Sequence, residues 1–274
     1  MDLFEEIVRL RERGVRGALA TVVLAQGSTP GAIAAKMLVS EEGPVLGTVG
    51  GGCLDAEVAA LAKQTLADEE CRTFSYDLNG PDAAEAGLAC GGRVTVFIEP
   101  ITLPRAVVFG AGHVGQKICR AAAMAGFRVT VIDDREAFAN QHRFPEAAEV
   151  MVRPLSGPFD DLGVNRSTYL LITTRGHQHD QGILGWAATQ GAAYVGMIGS
   201  RAKRKAVFEA LAAEGLSAEA LEKVRTPMGL DLGAKTPGEI AISIVSEMIA
   251  VRRGKDVGNR PFRQARISAV EGGA

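Results

Sequence analysis

The feature that most constrains this chain is a glycine-rich segment between a strand-like run and a helix-like run. Gly110, Gly112 and Gly115 fit the pattern G-x-G-x-x-G, and two acids, Asp133 and Asp134, end the next strand-like run about twenty residues later. In this pattern the glycines permit a tight turn, close approach of a phosphate, and packing of a helix on a strand, and the acid suits a ribose hydroxyl. The segment predicts a Rossmann-type domain. Whether it binds a nucleotide or keeps the turn as architecture alone stays open.

Two prolines mark a seam at residues 99–105, where the sequence pattern changes. Before the seam, helix-like and strand-like runs come in mixed order, which predicts an α+β domain over residues 1–100. After it, apolar runs alternate with helical patterns, which predicts a doubly wound parallel sheet over residues 105–255. Residues 256–274 show no clear period and are predicted to form a loosely ordered tail. The expected fold class is therefore α/β.

Composition and charge exclude several classes of function. The net charge is −2, which gives no field that attracts nucleic acid or an anionic membrane. The opening residues have a helical rather than a signal-peptide pattern, and no apolar run is long enough to span a bilayer, so a cytoplasmic location is expected.

The four cysteines form no C-x-x-C pair, which argues against a disulfide framework and a zinc ribbon. Cys71 and Cys119 lie in apolar patterns and are predicted to be core residues.

A second unusual segment, GTVGGGCLDAEV, places Gly50, Gly51 and Gly52 directly before Cys53. Each glycine in regular structure lowers stability by roughly 0.5–1 kcal/mol relative to alanine. Glycine is therefore usually found where the backbone needs a positive φ or where another group must approach closely. The residues alone leave two interpretations open. The segment is either a tight turn with Cys53 as a small buried residue, or an open turn at which the thiol is functional.

Further polar segments follow strands of the second half and are expected at the carboxyl edge of the sheet, where this fold binds ligands. Residues 175–180 are expected to contact an anion or substrate, or to cap a helix through Asp180. Two histidines without a distant third ligand make an incomplete metal site. In residues 200–205, cations at a helix start oppose the helix dipole. They form either a solvated face or a device that holds an anion.

A third segment, residues 226–239, ends in a helix start with Thr236 as N-cap and Glu239 as its capping-box partner. The candidate ligand contacts in these loops are His113, Arg175, His177, His179, Ser200, Arg201 and Lys235. For His113 and Lys235, the alternative of a solvated surface side chain stays open.

A family resemblance is carried by strings spread over about residues 15–250, among them GTVGGGCLDAEV, VVFGAGHVGQ, TTRGHQHD and GLDLGAKTPGEIAISI. The chain resembles the XdhC/CoxI family, the xanthine dehydrogenase accessory factors. The resemblance implies an N-terminal XdhC/CoxI domain followed by a Rossmann-like domain. It also implies a maturation chaperone that binds molybdenum cofactor (molybdopterin), protects it and delivers its sulfurated form to a molybdenum hydroxylase. Relatives are homodimers that work with a cysteine desulfurase and the apo-hydroxylase.

The resemblance gives the glycine–cysteine segment a role. The N–H groups of Gly50, Gly51 and Gly52 are expected to form an anion nest for the cofactor. Cys53, at a helix start, is the expected transient contact for molybdenum or a sulfur carrier. Cys90, in the string LACGGR, repeats the pairing of cysteine with glycine and is a second candidate for the same cleft.

Two positions depart from the family pattern. Gly31 stands where members often carry arginine, and Ala34 stands where they often carry glycine. If that arginine holds a phosphate, this chain either lacks the contact or supplies it from Lys36. The string TTRGHQHD also suggests a branch different from the best-described chaperones, so the client enzyme stays open.

Two other functions stay open at this point. The first is an NAD(P)-dependent oxidoreductase with Cys53 or His177 as the reacting group. The second is a nucleotide sensor whose Rossmann domain gates cofactor release. His113 lies where a hydride-transferring dehydrogenase often has a small residue, which argues against the oxidoreductase.

Overall fold

The computed structural model describes residues 2–13, 15–41, 46–68, 70–77, 92–101 and 103–255. The candidate Cys90 and the predicted tail at residues 256–274 lie outside these ranges. Within them the chain forms one antiparallel sheet in its first hundred residues and one parallel sheet after the seam. The predicted α/β fold with a doubly wound second half is confirmed. No helix in the described ranges is both long enough and apolar enough to cross a membrane.

The N-terminal sheet has the strand order β3-β2-β1-β5-β4. Its helices are α1 (Leu3–Arg13) and α2 (Gly52–Asp68), and its strands are β1 (Gly17–Gly27), β2 (Lys36–Ser40), β3 (Leu46–Gly47), β4 (Arg72–Asp77) and β5 (Gly92–Pro100). Successive strand residues point to opposite faces. Met37 therefore packs in the core that α2 covers, and Leu38 packs in a smaller cluster with Leu10 of α1. The two helices cover opposite faces of the sheet.

The second sheet is parallel throughout, with the strand order β10-β9-β6-β7-β8. Its strands are β6 (Arg105–Phe109), β7 (Arg128–Asp133), β8 (Glu149–Val152), β9 (Thr168–Ile172) and β10 (Tyr194–Met197). Its helices are α3 (His113–Met124), α4 (His177–Ala187), α5 (Arg201–Ala213), α6 (Ala218–Glu222) and α7 (Pro237–Arg252). From β6 the chain adds strands towards one edge of the sheet, β7 and then β8, and it then adds β9 and β10 on the other side of β6. Ligands are therefore expected beyond the carboxyl ends of β6 and β9, where the strand order changes direction.

Helices cover both faces of the parallel sheet, as the continuous apolar strands predict. Val108 of β6 faces a core shared with α3 and α7, whereas its neighbour Val107 faces a core shared with α4 and α5. The chain's single tryptophan, Trp186 of α4, lies edge-on to the rings of Phe109 and Phe159. Fluorescence of Trp186 therefore reports specifically on unfolding of the Rossmann-like part.

Two elements of the second half were not predicted from the sequence. Strand β8 is a four-residue edge strand whose central residues are only partly buried, so its apolar pattern is weak. Residues 134–148, which connect β7 to β8, form turns rather than the α-helix usual in this fold.

The predicted capping box at the start of α7 is present, with Thr236 accepting from the Glu239 N–H and Glu239 accepting from the Thr236 N–H.

Ala34 has φ +70°, a left-handed conformation that is unique to it among the non-glycine residues in the described ranges. This conformation costs an L-residue roughly 1–2 kcal/mol, and glycine adopts it freely. We expect Ala34→Gly to raise the free energy of unfolding of the N-terminal part by about 1 kcal/mol, measured by urea unfolding with far-UV circular dichroism. Ala32→Gly, in the same loop but without a positive φ, is the control. Equal destabilisation by both substitutions would contradict the strain at Ala34.

Candidate functional site

The glycine–cysteine segment forms an open turn that leads into α2. Gly51 and Gly52 have φ values of +85° and +57°, and a Cβ at either position would meet no atom within 4 Å. Cys53 lies in the first turn of α2, where N–H groups lack intrahelical partners, and its side chain is exposed. The interpretation of Cys53 as a small buried residue is therefore wrong. The segment exposes a thiol beside backbone that other groups are free to approach.

Asp55, which the sequence analysis missed, fixes this turn from inside α2. Its carboxylate accepts hydrogen bonds from the Val49 N–H at 2.9 Å and from the Thr48 hydroxyl at 2.7 Å. The Thr48 hydroxyl oxygen in turn accepts from the Gly50 N–H at 3.1 Å, so the expectation that this N–H binds an anion does not match the geometry. The sequence did contain a signal for this role, because Asp55 is an acid in the first turn of a predicted helix and Thr48 precedes it by seven residues. The turn is thus held in one conformation before any ligand arrives.

The loop that departs from the family pattern packs directly against this turn. A Cβ at Gly31 would lie 2.0 Å from the carbonyl oxygen of Val49, so the present backbone has no room for an arginine there. Lys36 begins β2, and its Nζ donates to the Thr21 hydroxyl at 3.2 Å. The Lys36 carbonyl accepts from the Thr48 N–H at 3.0 Å, which places this residue at the base of the turn. Its expected contact with a phosphate stays a prediction.

The glycine-rich loop after β6 uses its three glycines in different ways. A Cβ at Gly110 would lie 2.6 Å from the Thr173 carbonyl oxygen, and one at Gly115 would lie 2.0 Å from the Gly110 carbonyl oxygen. Gly112 instead faces open space, because a Cβ there would meet no atom within 4 Å. His113 is exposed at the first position of α3. The first and third glycines are needed for packing, and the second leaves the backbone open to a ligand.

Of the two acids after β7, Asp133 is occupied by the protein itself. Its side chain is 1% exposed and accepts from the Ala111 N–H at 2.7 Å and from the Arg135 guanidinium at 2.7 and 2.8 Å. Burial raises the pKa of Asp133, but these hydrogen bonds outweigh it and lower the pKa to about 2. The expectation that Asp133 holds a ribose hydroxyl does not match this geometry, because Arg135 and the glycine-rich loop already take up its oxygens.

The depressed pKa of Asp133 predicts a specific loss of stability in acid. Its stabilisation is complete above the ordinary carboxyl pKa of about 4 and is lost as the pH falls towards about 2. We expect Asp133→Asn to lower the free energy of unfolding by about 2 kcal/mol at neutral pH, with a smaller difference from wild type as the pH falls below 4. Urea unfolding followed by Trp186 fluorescence measures it. A difference that is constant with pH, or equally large in Asp134→Asn, would contradict the account.

Further residues missed by the sequence analysis bind the β7–β8 connection to the glycine-rich loop. The guanidinium groups of Arg135 and Arg143 lie 3.8 and 4.7 Å from the ring centre of Phe138. Arg143 donates to the Ala111 carbonyl at 3.4 Å, and its own carbonyl accepts from the Gln116 side chain at 2.9 Å. These contacts replace the packing that a crossover helix would supply.

The loops after β9 and β10 are joined by a buried ion pair. Asp180 is fully buried, accepts from the Thr174 hydroxyl at 2.6 Å and pairs with Lys203 Nζ. The suggestion that Asp180 caps a helix is wrong, because α4 begins at His177 with Gly176 as its N-cap. The cations at the start of α5 were expected either to face solvent or to hold an anion. Lys203 does hold an anion, and that anion is the Asp180 carboxylate. Ser200 is the N-cap of α5 and accepts from the Lys203 N–H at 3.2 Å.

The remaining candidates at this edge are only partly drawn together. Arg175 lies 3.6 Å from the Asp134 carboxylate, and His179 and Asp134 line the same cleft. The side chains of His177 and Arg201 lie outside what the structure describes. Among the described residues, no group of three or more His, Cys, Asp or Glu side chains is arranged to hold a metal ion.

The segment GLDLGAKTPGEIA is held by a second buried network. Glu247 of α7 accepts from the Tyr194 hydroxyl at 2.6 Å, from Arg225 at 3.1 Å and from the Gly229 N–H at 2.7 Å. Burial and the Glu247 charge raise the pKa of Tyr194 well above its ordinary value. Lys235 is exposed beside the capping box, and its N–H donates to Glu239. Gly229 therefore has an architectural use, because its N–H joins this network and a Cβ there would lie 2.3 Å from the Ser243 hydroxyl oxygen.

The other described cysteines differ from each other. Cys119 is buried, and this burial raises the pKa of its thiol to about 12, with a smaller contribution from the nearby Glu146 charge. Its predicted core position is confirmed. Cys71, just before β4, is exposed, so its predicted core position is wrong. Cys71 is thus a second accessible thiol and a natural control for Cys53.

Comparison with known proteins gives matches along most of the chain. The family model for the XdhC Rossmann domain matches residues 106–248, and that for the XdhC and CoxI family matches residues 10–77. The uncharacterized protein YqeB of Escherichia coli is 33% identical over 256 residues, covering 92% of this chain and 46% of that protein. A probable xanthine dehydrogenase subunit of Bacillus subtilis is 30% identical over 156 residues, covering 57% of this chain and 44% of that protein.

A crystal structure described as a xanthine dehydrogenase from Bacillus halodurans has the same overall fold. Its TM-score is 0.51 at 22% identity, with 96% of this chain and 99% of that chain covered. The chain spans less than half the length of the curated relatives that it matches. Since the Rossmann-domain model alone covers more than half of the sequence, the chain belongs to the XdhC and CoxI family.

Proposed function

We propose that this protein is a maturation factor for a molybdenum hydroxylase of the xanthine dehydrogenase type, and that it binds molybdenum cofactor and delivers the sulfurated form. Membership of the XdhC and CoxI family supports the maturation role, as does the similarity to a probable xanthine dehydrogenase subunit. The observation that carries cofactor binding is the exposed thiol of Cys53 beside two open glycines at the start of α2.

The residues of this turn fit the chemistry of the proposed cargo. Molybdenum cofactor carries a phosphate and a metal bound by sulfur, and a thiolate is a ligand that suits such a metal. The open backbone at Gly51 and Gly52 leaves room for an anionic group, and N–H groups in the first turn of α2 are available donors. Asp55 keeps the turn preformed, which reduces the entropy lost on binding. One thiolate contact is compatible with later release.

The proposal assigns separate tasks to the chain's own residues. Gly51 and Gly52 admit the anion, Cys53 contacts the metal or carries sulfur, and Asp55 with Thr48 holds the turn. The bound cofactor supplies the redox chemistry only after transfer to the hydroxylase. The proposal includes a cysteine desulfurase as the sulfur donor and the apo-hydroxylase as the recipient of the cofactor. It also includes a homodimeric state and a cytoplasmic location.

The test is the cofactor content of the purified protein. We expect protein from a host that makes molybdenum cofactor to carry molybdenum and pterin in near-equal amounts, and Cys53→Ala to reduce both at least tenfold. Cys71→Ala, which removes the other exposed thiol described, is the matched control and should retain both. Gly112→Ala should also retain both, because it alters the Rossmann loop alone. Wild-type protein without pterin, or full loading of a folded Cys53→Ala variant, would overturn the proposal.

A further inference from the structure

The polar and apolar residues of α7 are placed the opposite way from those of an ordinary surface helix. Ser243 and Glu247 are each 5% exposed, whereas Ile242 and Ile249 are 58% and 40% exposed. A helix that is apolar on all sides is normally covered on all sides. The core shared with α3 covers the inner face of α7, so within the described part of the chain its outer face has no cover.

The outer face of α7 forms one continuous stripe, which we call the α7 stripe. It runs from Glu239 through Ile242, Ser246 and Ile249 to Arg253, in steps of three and four residues. Residues at these intervals lie on the same side of a helix, and the alternation is typical of helices that pack side by side. Ser246, the small residue in the middle, lets another backbone come close. The spacing therefore favours a second helix as the cover.

The α7 stripe is complementary to itself when it is read in the opposite direction. Ser246 is its midpoint, and Glu239 and Arg253 each lie seven positions away. In an antiparallel pair of these helices with a two-fold axis at Ser246, Glu239 of each copy faces Arg253 of the other. Ile242 then faces Ile249 in the same reciprocal way, as a two-fold interface requires. A shallow crossing of about 20° keeps both ends of the pair in contact.

The charged ends of the stripe suit this pairing. Glu239 accepts the Lys235 and Thr236 N–H groups through Oε2 alone, so its Oε1 can accept from a guanidinium. The hydrogen bonds from Thr236 and Lys235 lower the pKa of Glu239, which keeps the carboxylate charged at neutral pH. Arg253 is exposed at the other end. An apolar centre with a charged rim is the usual composition of a protein interface.

We propose that the α7 stripe is the contact surface between two copies of this chain. Ile242 and Ile249 of both copies form its centre, and two ion pairs between Glu239 and Arg253 close its ends. The inference rests on the homodimeric state in the proposed function and gives that state a surface. Cys53 lies on α2, outside this surface, so cofactor delivery can fail without affecting the inference.

Sedimentation equilibrium of the full chain tests the proposal. We expect a dimer at micromolar concentration, and Ile242→Asp should weaken it at least tenfold, because a carboxylate from each copy enters the apolar centre. Val8→Asp places the same charge at a 52% exposed position of α1 and should leave the dimer unchanged. A folded Ile242→Asp variant that dimerises like wild type would overturn the proposal. A monomeric wild-type protein would also overturn it, and would leave residues 256–274 or another protein to cover the stripe.

Charge variants test the antiparallel register. Arg253→Glu should weaken the dimer at least threefold at low salt, because the new carboxylate faces Glu239 of the partner copy. Adding Glu239→Gln removes that repulsion and keeps an acceptor for the capping box, so it should restore part of the affinity. An affinity unchanged by Arg253→Glu, or a double variant no tighter than Arg253→Glu, would overturn the pairing.

A cross-link locates the two-fold axis. With the exposed thiols removed by Cys53→Ser and Cys71→Ser, Ser246→Cys should join two copies by a disulfide under mild oxidation, because the axis brings the two positions within disulfide reach. Ala206→Cys, at an exposed position of α5, is the control and should not cross-link. A dimer that Ser246→Cys does not cross-link would overturn the α7 surface. None of these measurements depends on molybdenum or pterin content, so failure here is distinguishable from failure of cofactor binding.

Discussion

Replacement of Glu247 by leucine is expected to destabilise the Rossmann-like part by about 3–5 kcal/mol. The Glu247 carboxylate is almost fully buried and accepts hydrogen bonds from Tyr194, Arg225 and the Gly229 N–H. Leucine has similar size but accepts none of them, so a hydroxyl, a guanidinium and a backbone N–H lose their partner together. Each buried donor left without an acceptor costs about 1–3 kcal/mol, and more when it is charged.

Urea unfolding followed by Trp186 fluorescence measures this loss. Glu247→Gln keeps one acceptor oxygen and should lie between wild type and Glu247→Leu. Glu209→Leu, at an exposed position paired with Lys205 at 3.8 Å, should change stability by less than about 1 kcal/mol. Equal effects of Glu247→Leu and Glu209→Leu would show that the buried network contributes nothing. The network also fixes the loop before α7, so we expect faster hydrogen exchange there in Glu247→Gln.

Replacement of Lys203 by methionine is expected to cost about 3–5 kcal/mol, because it leaves Asp180 as an uncompensated charge in the interior. Asp180 is 0% exposed, and Lys203 and the Thr174 hydroxyl are its side-chain partners in the described structure. The pair joins the first turns of α4 and α5, so the loss should loosen the whole carboxyl edge. Trp186, on α4 itself, reports on the transition.

Two further variants separate the charge from the packing of Lys203. Lys205→Met, on the exposed side of the same helix, should leave stability nearly unchanged. The double variant Asp180→Asn/Lys203→Met removes both charges and should recover a substantial part of the loss. A double variant no more stable than Lys203→Met would contradict the account, because the cost would then come from lost packing alone.

The sequence predicted the features that depend on local pattern. The loop from Gly110 to Gly115 was found because its glycines, the strand before it and the helix after it are contiguous in the chain. The capping box at Thr236 was found for the same reason. Strand β8 was missed because an edge strand of four residues buries too little to show a period.

The partners of the charged groups were beyond the sequence because they depend on tertiary contacts. Asp133 and Asp134 look equivalent as neighbours, yet one is buried under Arg135 and the other lines a cleft. Asp180 looked like a helix cap, and only the packing of α5 against α4 shows Lys203 as its partner. Cys53 had two open interpretations, and the exposure of its thiol removes the one in which it is a small buried residue.

The most direct measurement of the central claim is transfer of cofactor to a client enzyme. Loaded protein would be mixed with the purified apo form of a xanthine dehydrogenase-type hydroxylase, and the return of hydroxylase activity would be followed. We expect wild-type protein and Cys71→Ala to restore activity in proportion to the cofactor that they carry, and Cys53→Ala to restore almost none. Loaded protein that restores no activity, or a Cys53→Ala variant that restores as much as wild type, would contradict a delivery role at the glycine–cysteine turn.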